Sequence, residues 1–177
     1  HAVHSGTNND LGLIDILRVL YKSNSLNLCH RLDKGTSGCL VIAKNQRFLR
    51  FFNNQLKNRL VKKIYHAIIK SYIPEEIYIT ENIDTTTKGS YRKVSFNKDG
   101  KVSKSKFKSL KKLNDSSLIE IQILTGRTHQ IRAQCEKINK NIANDHKYGC
   151  KSFNNRLKKS KINRLGLHSY ELSFKDL

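Results

Sequence analysis

The segment from Val61 to Leu124 limits the fold most, because it contains five strand candidates in succession. In the first, Val61–Ile73, Tyr65 and Ala67 lie on one face and His66 on the other, as alternate residues of a β-strand do. The other four candidates are Ile77–Ile83, Tyr91–Phe96, Ser103–Leu110 and Leu118–Leu124. Strands joined by such short connections predict antiparallel pairing.

Shorter strand candidates lie on either side of this segment. They are Leu26–His30, Cys39–Ala43, Leu165–His168 and Glu171–Phe174. The run Cys39–Ala43 is continuously apolar and β-branched, which is typical of a strand buried on both faces. Strands outnumber helices, so we expect an α/β (α+β) domain with a central mixed, largely antiparallel β-sheet flanked by helices and loops.

Three helices are predicted from capping residues and apolar spacing. The predicted capping residues are Asp10, Asn45 and Thr128. The first helix extends to about Lys22 and the third to about Asn139. The second helix carries Phe48, Phe52 and Leu56 on one face, which we expect to contact the core.

The length of 177 residues suits one domain, spanning residues 1–177. The chain contains no methionine and begins at His1, so we expect it to be part of a longer protein. No apolar run approaches the roughly 18 residues of a membrane span, and no signal peptide opens the chain. We therefore expect a cytoplasmic protein without a membrane partner.

Positive charge dominates the composition, with 34 Lys and Arg against 14 Asp and Glu and a formal net charge of +20. A lysine-rich solvated surface from an AT-rich genome is one explanation, but it does not account for the scarcity of Asp and Glu. A partner with a phosphate backbone accounts for this scarcity. Charge alone does not separate RNA from DNA, or an enzyme from a binding module. The basic residues form three clusters: Lys57, Arg59, Lys62 and Lys63; Lys98, Lys101, Lys104, Lys106, Lys108, Lys111 and Lys112; and Arg156, Lys158, Lys159, Lys161 and Arg164.

The cysteines do not indicate a metal site. No C-x-x-C pair is present, and zinc sites need closely spaced ligand pairs. Asp145, His146 and Cys150 form the only grouping of possible ligands, and we expect no metal there. The pattern is typical of reduced, mostly buried thiols. The cysteines are Cys29, Cys39, Cys135 and Cys150.

The loop HRLDKGTSG, residues 30–38, places one carboxylate, Asp33, among cationic side chains between two apolar strands. A carboxylate with a neighbouring arginine stays ionised at neutral pH. An ionised, positioned aspartate can act as a nucleophile or a general base. A structural aspartate that closes a turn would have the same sequence, so the loop alone leaves both readings open.

The segment LTGRTHQIR, residues 124–132, is cation-rich and lies where a strand passes into a helix. Arg127 precedes the helix, where a cation is unfavourable to the helix dipole, so its charge has some other use. Arg132 lies far enough into the helix to point at a sheet edge and pair with a carboxylate. A phosphate contact by either arginine, without catalysis, is the alternative.

Several common chemistries are excluded, because the chain has no kinase, P-loop, zinc-protease or nucleophile-elbow motif. No two carboxylates are evidently paired. What remains is Asp33, an arginine partner, a strand that carries Tyr65, and a basic surface.

These residues, taken together, resemble the RluA-type pseudouridine synthases, and most of all the RluC-type enzymes of bacterial large-subunit ribosomal RNA. The resemblance rests on HRLDKGTSG, on Lys63-Ile64-Tyr65 and on TGRTHQIR, in this order and at this separation. It continues from Val3 to His168 and includes the segment Asp145–Gly149. It implies the pseudouridine synthase fold and isomerisation of uridines to pseudouridine in large-subunit (23S) rRNA. Family members often carry an S4-like RNA-binding domain ahead of the catalytic domain, and none is present here, which agrees with a part of a longer protein.

The resemblance also implies roles for individual residues. Asp33 falls on the catalytic aspartate, Tyr65 on the tyrosine that stacks on the uracil and is expected to help remove the C5 proton, and Arg132 on the basic partner of the aspartate. Arg31 falls on the arginine that assists in flipping the uridine, and Ile131 on the aliphatic residue that flanks the base. The family uses no cofactor and no metal, and we expect a monomer. Further substrate contacts are expected from His30, Thr36, Arg127 and His129.

Two other readings stay open on the sequence. A non-catalytic RNA-binding or ribosome-assembly module could use the same fold. A DNA-binding module is less favoured, because the chain shows no evident recognition helix and no dimeric basic region.

Overall fold

Seven strands form one sheet in the computed structural model, which describes residues 11–88, 91–158, 160 and 162–175. The strand order in the sheet is β2-β9-β4-β8-β7-β5-β6, and β1 and β3 form a separate antiparallel pair. The elements are α1 (Leu13–Leu20), β1 (Asn27–Leu28), β2 (Ser37–Gly38), β3 (Ile42–Ala43), α2 (Gln46–Lys57), β4 (Lys62–Lys70), β5 (Glu76–Lys88), β6 (Tyr91–Phe96), β7 (Lys101–Lys112), β8 (Ser116–Ile123), α3 (Gln130–Lys137), α4 (Lys151–Leu157) and β9 (Leu167–Ser173).

All neighbouring strands of this sheet pair antiparallel except β2 and β9, which pair parallel. The prediction of a mixed, largely antiparallel sheet is therefore confirmed. The five strand candidates between Val61 and Leu124 correspond to β4 through β8.

A β-bulge lies where β4 pairs with β9. Ile64 pairs with Glu171 and Tyr65 with Ser169, so Tyr170 is the extra residue. Bulges redirect side chains locally. Ile64 and Tyr65 are both buried although they alternate along β4, so both faces of the strand are covered at this point. The bulge lies beside Tyr65, one of the predicted site residues.

Helix α3 covers one face of the sheet. Phe107, Ile119 and Ile121 are fully buried in a cluster that also contains Ile131 and Cys135 of α3. Each such side chain stabilises the fold by roughly 1.5–3 kcal/mol through removal of apolar surface from water. The packing fixes α3, and with it the second predicted site segment, against the middle of the sheet.

Helix α2 forms as the sequence predicts. The Asn45 side chain accepts a hydrogen bond from the backbone N–H of Phe48 at 2.9 Å, so the N-cap is confirmed. Phe52 is fully buried, and Phe48 and Leu56 pack around it. The ring of His30 lies 6.1 Å from that of Phe52, so this cluster also supports the start of the HRLDKGTSG loop.

Two predicted helix starts require correction. The first helix begins at Leu13 with Gly12 as its N-cap, and Asp10 lies outside the described residues. The third helix begins at Gln130, because His129 adopts the left-handed conformation (φ 51°) and not the right-handed helical backbone that the first residue after a Thr128 cap needs.

Three further expectations differ from the structure. Cys39 is exposed, and of the run 39–43 only Ala43 is buried, so this strand is not covered on both faces. The two tail strands are one strand, β9. Helix α4 was not predicted, because its sequence KSFNNRL buries only Phe153 and carries almost no apolar pattern. No helix in the described ranges is long and apolar enough to cross a membrane.

Gly38 allows β2 to lie against β9. Its φ is +110°, a conformation that L-residues rarely adopt, and a Cβ atom there would come 2.1 Å from the carbonyl oxygen of Ser169. The backbone N–H of Cys39 donates to that same oxygen at 2.8 Å. The end of the HRLDKGTSG loop is thus fixed to the sheet by a contact that admits no side chain.

We expect Gly38→Ala to lower the free energy of unfolding by at least about 2 kcal/mol, because it adds backbone strain and a steric clash with β9. Urea unfolding followed by circular dichroism measures this loss. Gly126→Ala is the control, since a Cβ there meets only the Lys63 Nζ atom, at 3.5 Å. Equal stability of the two variants would contradict the assignment.

Candidate active site

One cavity of about 380 Å³ brings both predicted site segments together at the ends of β4 and β8. Its walls come from the HRLDKGTSG loop, from β4, and from the turn that leads into α3. All nine predicted site residues line it: His30, Arg31, Asp33, Thr36, Tyr65, Arg127, His129, Ile131 and Arg132.

Arg132 lies between two carboxylates. Its Nη1 atom is 3.5 Å from Asp33 Oδ2 at the cavity wall. On the other side its Nε and Nη2 atoms donate to the two oxygens of Asp145 at 2.7 and 2.9 Å. The pairing of Arg132 with Asp33 agrees with the sequence analysis, but the shorter, bidentate contact is with Asp145.

Asp145 is the functional residue that sequence reasoning missed. Its side chain is completely buried, whereas that of Asp33 is 21% exposed. The sequence groups Asp145 with His146 and Cys150 as possible metal ligands and places it in a segment of the family resemblance, but assigns it no role in the site. Within the described ranges, no three His, Cys, Asp or Glu side chains come together as a metal site. The signal that could have pointed to Asp145 was Arg132, because a guanidinium that is buried in a protein needs a carboxylate partner.

The loop after Asp145 holds its carboxylate rigidly. The backbone N–H groups of Lys147 and Tyr148 donate to Asp145 Oδ1 at 2.8 and 2.9 Å. A Cβ atom at Gly149 would overlap the carbonyl oxygen of Asp145, so only glycine allows the backbone at position 149 to lie this close to Asp145. The Tyr148 ring lies 5.0 Å from the Arg132 guanidinium, which gives a cation–π contact.

The charges of this group stabilise one another. Burial alone would lower the pKa of Arg132, but the hydrogen bonds and charge of Asp145 and the charge of Asp33 raise it above its usual value. Burial would likewise raise the pKa of Asp145, yet Arg132 and the two backbone N–H groups hold it below its usual value. Arg132 and Asp145 are therefore a fixed ion pair at neutral pH, with one face of the guanidinium left for Asp33.

Tyr65 closes the cavity beside Asp33. It is 9% exposed, and burial is the main reason that its pKa lies above the usual value. The Asp33 charge raises this pKa further, while a hydrogen bond with the Ser169 side chain opposes the rise. Tyr65 is therefore a neutral phenol at neutral pH, with an aromatic ring at the cavity wall.

His30 has a structural role in addition to its place in the cavity wall. Its Nε2 atom accepts a hydrogen bond from the backbone N–H of Val41 at 3.0 Å. Burial lowers the pKa of His30, and the neighbouring Lys63 lowers it further. The ring is therefore neutral, and it links the HRLDKGTSG loop to the strand that follows. Lys63, which also lines the cavity, is a second residue not singled out from the sequence as a site residue.

Gln130 organises the turn that precedes α3. Its side-chain oxygen accepts hydrogen bonds from the Thr125 hydroxyl at 2.8 Å and from the backbone N–H of Arg127 at 3.0 Å. Its side-chain nitrogen donates to the carbonyl of Lys104 and the hydroxyl of Ser105. Buried amides that satisfy all these partners fix a loop in one conformation. The turn is therefore attached to β7 before any substrate arrives.

The remaining predicted residues take distinct positions. Arg127 donates from Nε to the carbonyl of Val102 at 3.0 Å, so its guanidinium is held at the edge of the cavity. His129 Nδ1 lies 2.9 Å from the Tyr148 hydroxyl, and burial lowers the pKa of His129. Arg31 is exposed at the rim. Thr36 has a buried hydroxyl with no hydrogen-bond partner in the described part of the chain.

Asp145→Asn should lower the free energy of unfolding by up to about 3–5 kcal/mol at neutral pH, because it removes the nearest carboxylate from a buried guanidinium and leaves it only the longer contact with Asp33. The native pKa of Asp145 is depressed, so its contribution is present above about pH 3.9, the unfolded value, and is lost as the pH falls through the native pKa. Urea unfolding of both proteins at several pH values should show the difference shrinking below about pH 3.9.

Asp115→Asn is the matched control for this prediction. Asp115 pairs with Arg156 at 3.4 Å, but its side chain is 73% exposed. An exposed pair contributes only about 0–1 kcal/mol. If the two variants lost equal stability, Asp145 would not be the buried partner of Arg132.

Comparisons with known proteins agree with this geometry. The family model for RNA pseudouridylate synthase matches residues 4–137. Ribosomal large subunit pseudouridine synthase C of Buchnera aphidicola subsp. Baizongia pistaciae is 38% identical, and the protein of that name from Haemophilus influenzae is 34% identical. Each match covers 98% of this chain but 56% and 55% of the relative, so the chain spans slightly more than half the length of these curated relatives.

Solved structures show the same fold. Human RNA Pseudouridylate Synthase Domain Containing 1 superposes with a TM-score of 0.79 at 26% identity, over 97% of this chain and 72% of that one. Human RNA Pseudouridylate Synthase Domain Containing 4 gives 0.75 at 25% identity, over 97% and 76%. The matched family residues include Asp33, Tyr65 and Arg132. The chain belongs to the RNA pseudouridylate synthase family.

Proposed function

We propose that the chain is the catalytic domain of an RNA pseudouridine synthase that isomerises uridines in large-subunit (23S) rRNA. The observation that carries the proposal is the placement of Asp33 in the cavity, between Tyr65 and an arginine fixed from behind by Asp145. The bacterial relatives named as large-subunit pseudouridine synthases support the choice of substrate.

The proposed reaction conserves all atoms of the nucleoside. The N1–C1′ bond of uridine breaks, the uracil rotates, and a C5–C1′ bond forms, while C5 loses a proton and N1 gains one. Asp33 acts on the target nucleoside, either as a nucleophile towards the base or the ribose, or as a base at C2′. All three routes need an oriented carboxylate next to the sugar, and Arg132 supplies that orientation.

Arg132 also offsets the cost of keeping Asp33 charged when a substrate displaces water from the cavity. Removing the partner of a buried charge costs roughly 3–5 kcal/mol. A closed cavity strengthens the interaction further, because the local dielectric falls. Arg132 cannot turn away from Asp33, since Asp145 holds its Nε and Nη2 atoms.

The cavity suits a base that has left its stack. Flipping a base costs a few kcal/mol, which an aromatic-lined pocket must repay. The Tyr65 ring supplies a stacking face worth roughly 1–3 kcal/mol, and Ile131 adds an apolar wall. We assign to Arg31, which is exposed at the rim, the role of entering the space that the base leaves. We assign contacts with the flanking phosphates and sugars to Arg127 and His129.

The basic surface supports an RNA partner. A net charge of +20 attracts a polyanion from a distance and gives salt-dependent binding. A ribosomal RNA substrate places the reaction in the cytoplasm, and the proposed domain, residues 1–177, acts as a monomer without cofactor or metal.

Asp33→Asn should abolish pseudouridine formation and leave RNA affinity within about threefold, because it removes the reacting charge and keeps the shape of the site. A chemical pseudouridine map of large-subunit rRNA incubated with each protein measures the product, and filter binding measures affinity. A modified position found only with the unsubstituted chain is the expected result. Retained turnover in the variant would refute the assignment of Asp33. RNA binding without product from either protein would favour a non-catalytic RNA-binding module.

Tyr65→Phe tests the phenol hydroxyl separately from the ring. We expect RNA affinity to stay within about threefold, because the stacking face remains. Product formation in a single turnover should slow by about 10²–10⁴, the usual loss when a proton-transfer group is removed. Tyr65→Leu, which also removes the ring, should weaken RNA binding as well. An unchanged rate for Tyr65→Phe would limit Tyr65 to stacking.

A further inference from the structure

A second cavity, of about 700 Å³, adjoins the candidate active site. The two cavities have five lining residues in common, so they form one continuous depression that begins at the site of the flipped base. The second cavity lies between the end of α2 and the end of β8. The shared residues are Leu56, Lys63, Ile123, Gly126 and Arg127.

The lining of the second cavity is strongly basic and, within the described ranges, contains no carboxylate. Its cationic residues are Lys57, Arg59, Lys62, Lys63, Lys104 and Arg127. Lys57, Arg59 and Lys104 are exposed and have no ion-pair partner among the described residues. Lys62 alone is paired, with Glu171 at 3.3 Å. Such a concentration of unpaired positive charge fits an anionic ligand.

The walls also carry exposed apolar surface. Leu60 is 48% exposed and Leu124 is 43% exposed, one on each side of the cavity. A ligand that is anionic along one edge and apolar along another matches both features, and a nucleotide strand has phosphates and bases arranged in this way. The volume lies in the range of small-molecule sites, which admits short single-stranded segments and not a duplex.

Lys104 is the only residue of β7 that lines the second cavity. Lys106 lies two residues after Lys104 and therefore on the same face of the strand. Its Nζ atom is 2.9 Å from Glu76 Oε2, so this lysine is already neutralised. The unpaired cations that line the second cavity thus run from Lys57, at the end of α2, to Lys104 on β7.

We propose that the second cavity binds the sugar-phosphate backbone of the single-stranded RNA next to the target uridine. The inference rests on the proposed function, because the active-site cavity must hold a nucleotide of the same strand. Lys57, Arg59 and Lys104 contact phosphates, and Leu60 and Leu124 contact bases or riboses. The site is a substrate-positioning surface and takes no part in the chemistry.

The test compares the 177-residue chain with two double variants of equal charge. Lys57→Gln/Lys104→Gln removes two cations from the second cavity. Arg47→Gln/Lys151→Gln removes two exposed cations that line neither cavity. Fluorescence anisotropy measures the affinity of each protein for oligouridylates of three and eight nucleotides over a range of salt concentrations, after circular dichroism has shown equal folding.

We expect the eight-nucleotide RNA to bind the unsubstituted chain and the Arg47/Lys151 variant more tightly than the three-nucleotide RNA does. The Lys57/Lys104 variant should lose most of that gain and bind the longer RNA at least about fivefold more weakly. The slope of log affinity against log salt should fall by about 1.4, since each single-strand phosphate contact contributes about 0.7. Equal losses in the two double variants, or no loss in either, would overturn the proposal.

Product formation separates this inference from the proposed function. If pseudouridine forms on large-subunit rRNA but the Lys57→Gln/Lys104→Gln variant shows no selective loss of binding, the second cavity does not bind the RNA backbone and the proposal fails. If binding depends selectively on Lys57 and Lys104 but no uridine is converted, the RNA path is supported and the proposed isomerase activity is contradicted.

Discussion

The rest of the site depends on the interaction of the Arg132 guanidinium with two carboxylates, one that fixes its position and one that lies at the cavity wall. Asp145 fixes it through a bidentate contact at 2.7 and 2.9 Å, and Asp33 receives its remaining face at 3.5 Å. The unequal distances separate two roles. Asp145 is buried and permanently paired, whereas Asp33 stays partly exposed at the wall of the cavity, where a substrate can reach it.

A layer of buried polar side chains positions α3 to make this contact possible. Gln134 accepts a hydrogen bond from the Ser105 hydroxyl at 2.8 Å, and Ser105 in turn accepts from Gln130. Apolar packing alone would tolerate small shifts or rotations of the helix, whereas hydrogen bonds with defined donors and acceptors do not. Because six consecutive residues of α3 are buried, a rotation of the helix would bury Arg132 away from both carboxylates.

Much of this architecture could be predicted from the sequence, because the relevant signals are local. Alternation predicted the strands, Asn45 predicted the start of α2, and the family resemblance carried by the HRLDKGTSG and TGRTHQIR segments implied most of the residues that line the cavity. The start of α3 was misplaced, because no local sequence pattern marks the left-handed conformation of His129, whose ring contacts Tyr148, nineteen residues away.

Asp145 illustrates the limit of local signals. In the sequence it lies beside His146 and near Cys150, which directs attention to metal binding. Its actual partner, Arg132, comes from another element, and the pairing depends on the backbone fold between Asp145 and Gly149. The role of the second cavity was equally hidden, because Lys57 and Lys104 are 47 residues apart and meet only when β4, β7 and β8 pair.

The most direct test of the central claim is a double-mutant cycle on single-turnover pseudouridine formation with saturating large-subunit rRNA, at a temperature where circular dichroism shows all four proteins folded. The cycle combines Asp145→Asn with Arg132→Gln, which removes the cation that Asp145 holds. If Asp145 acts on the reaction only through Arg132, the double variant should be no slower than the slower single variant. Losses that multiply would show that the two residues act independently and would contradict the account.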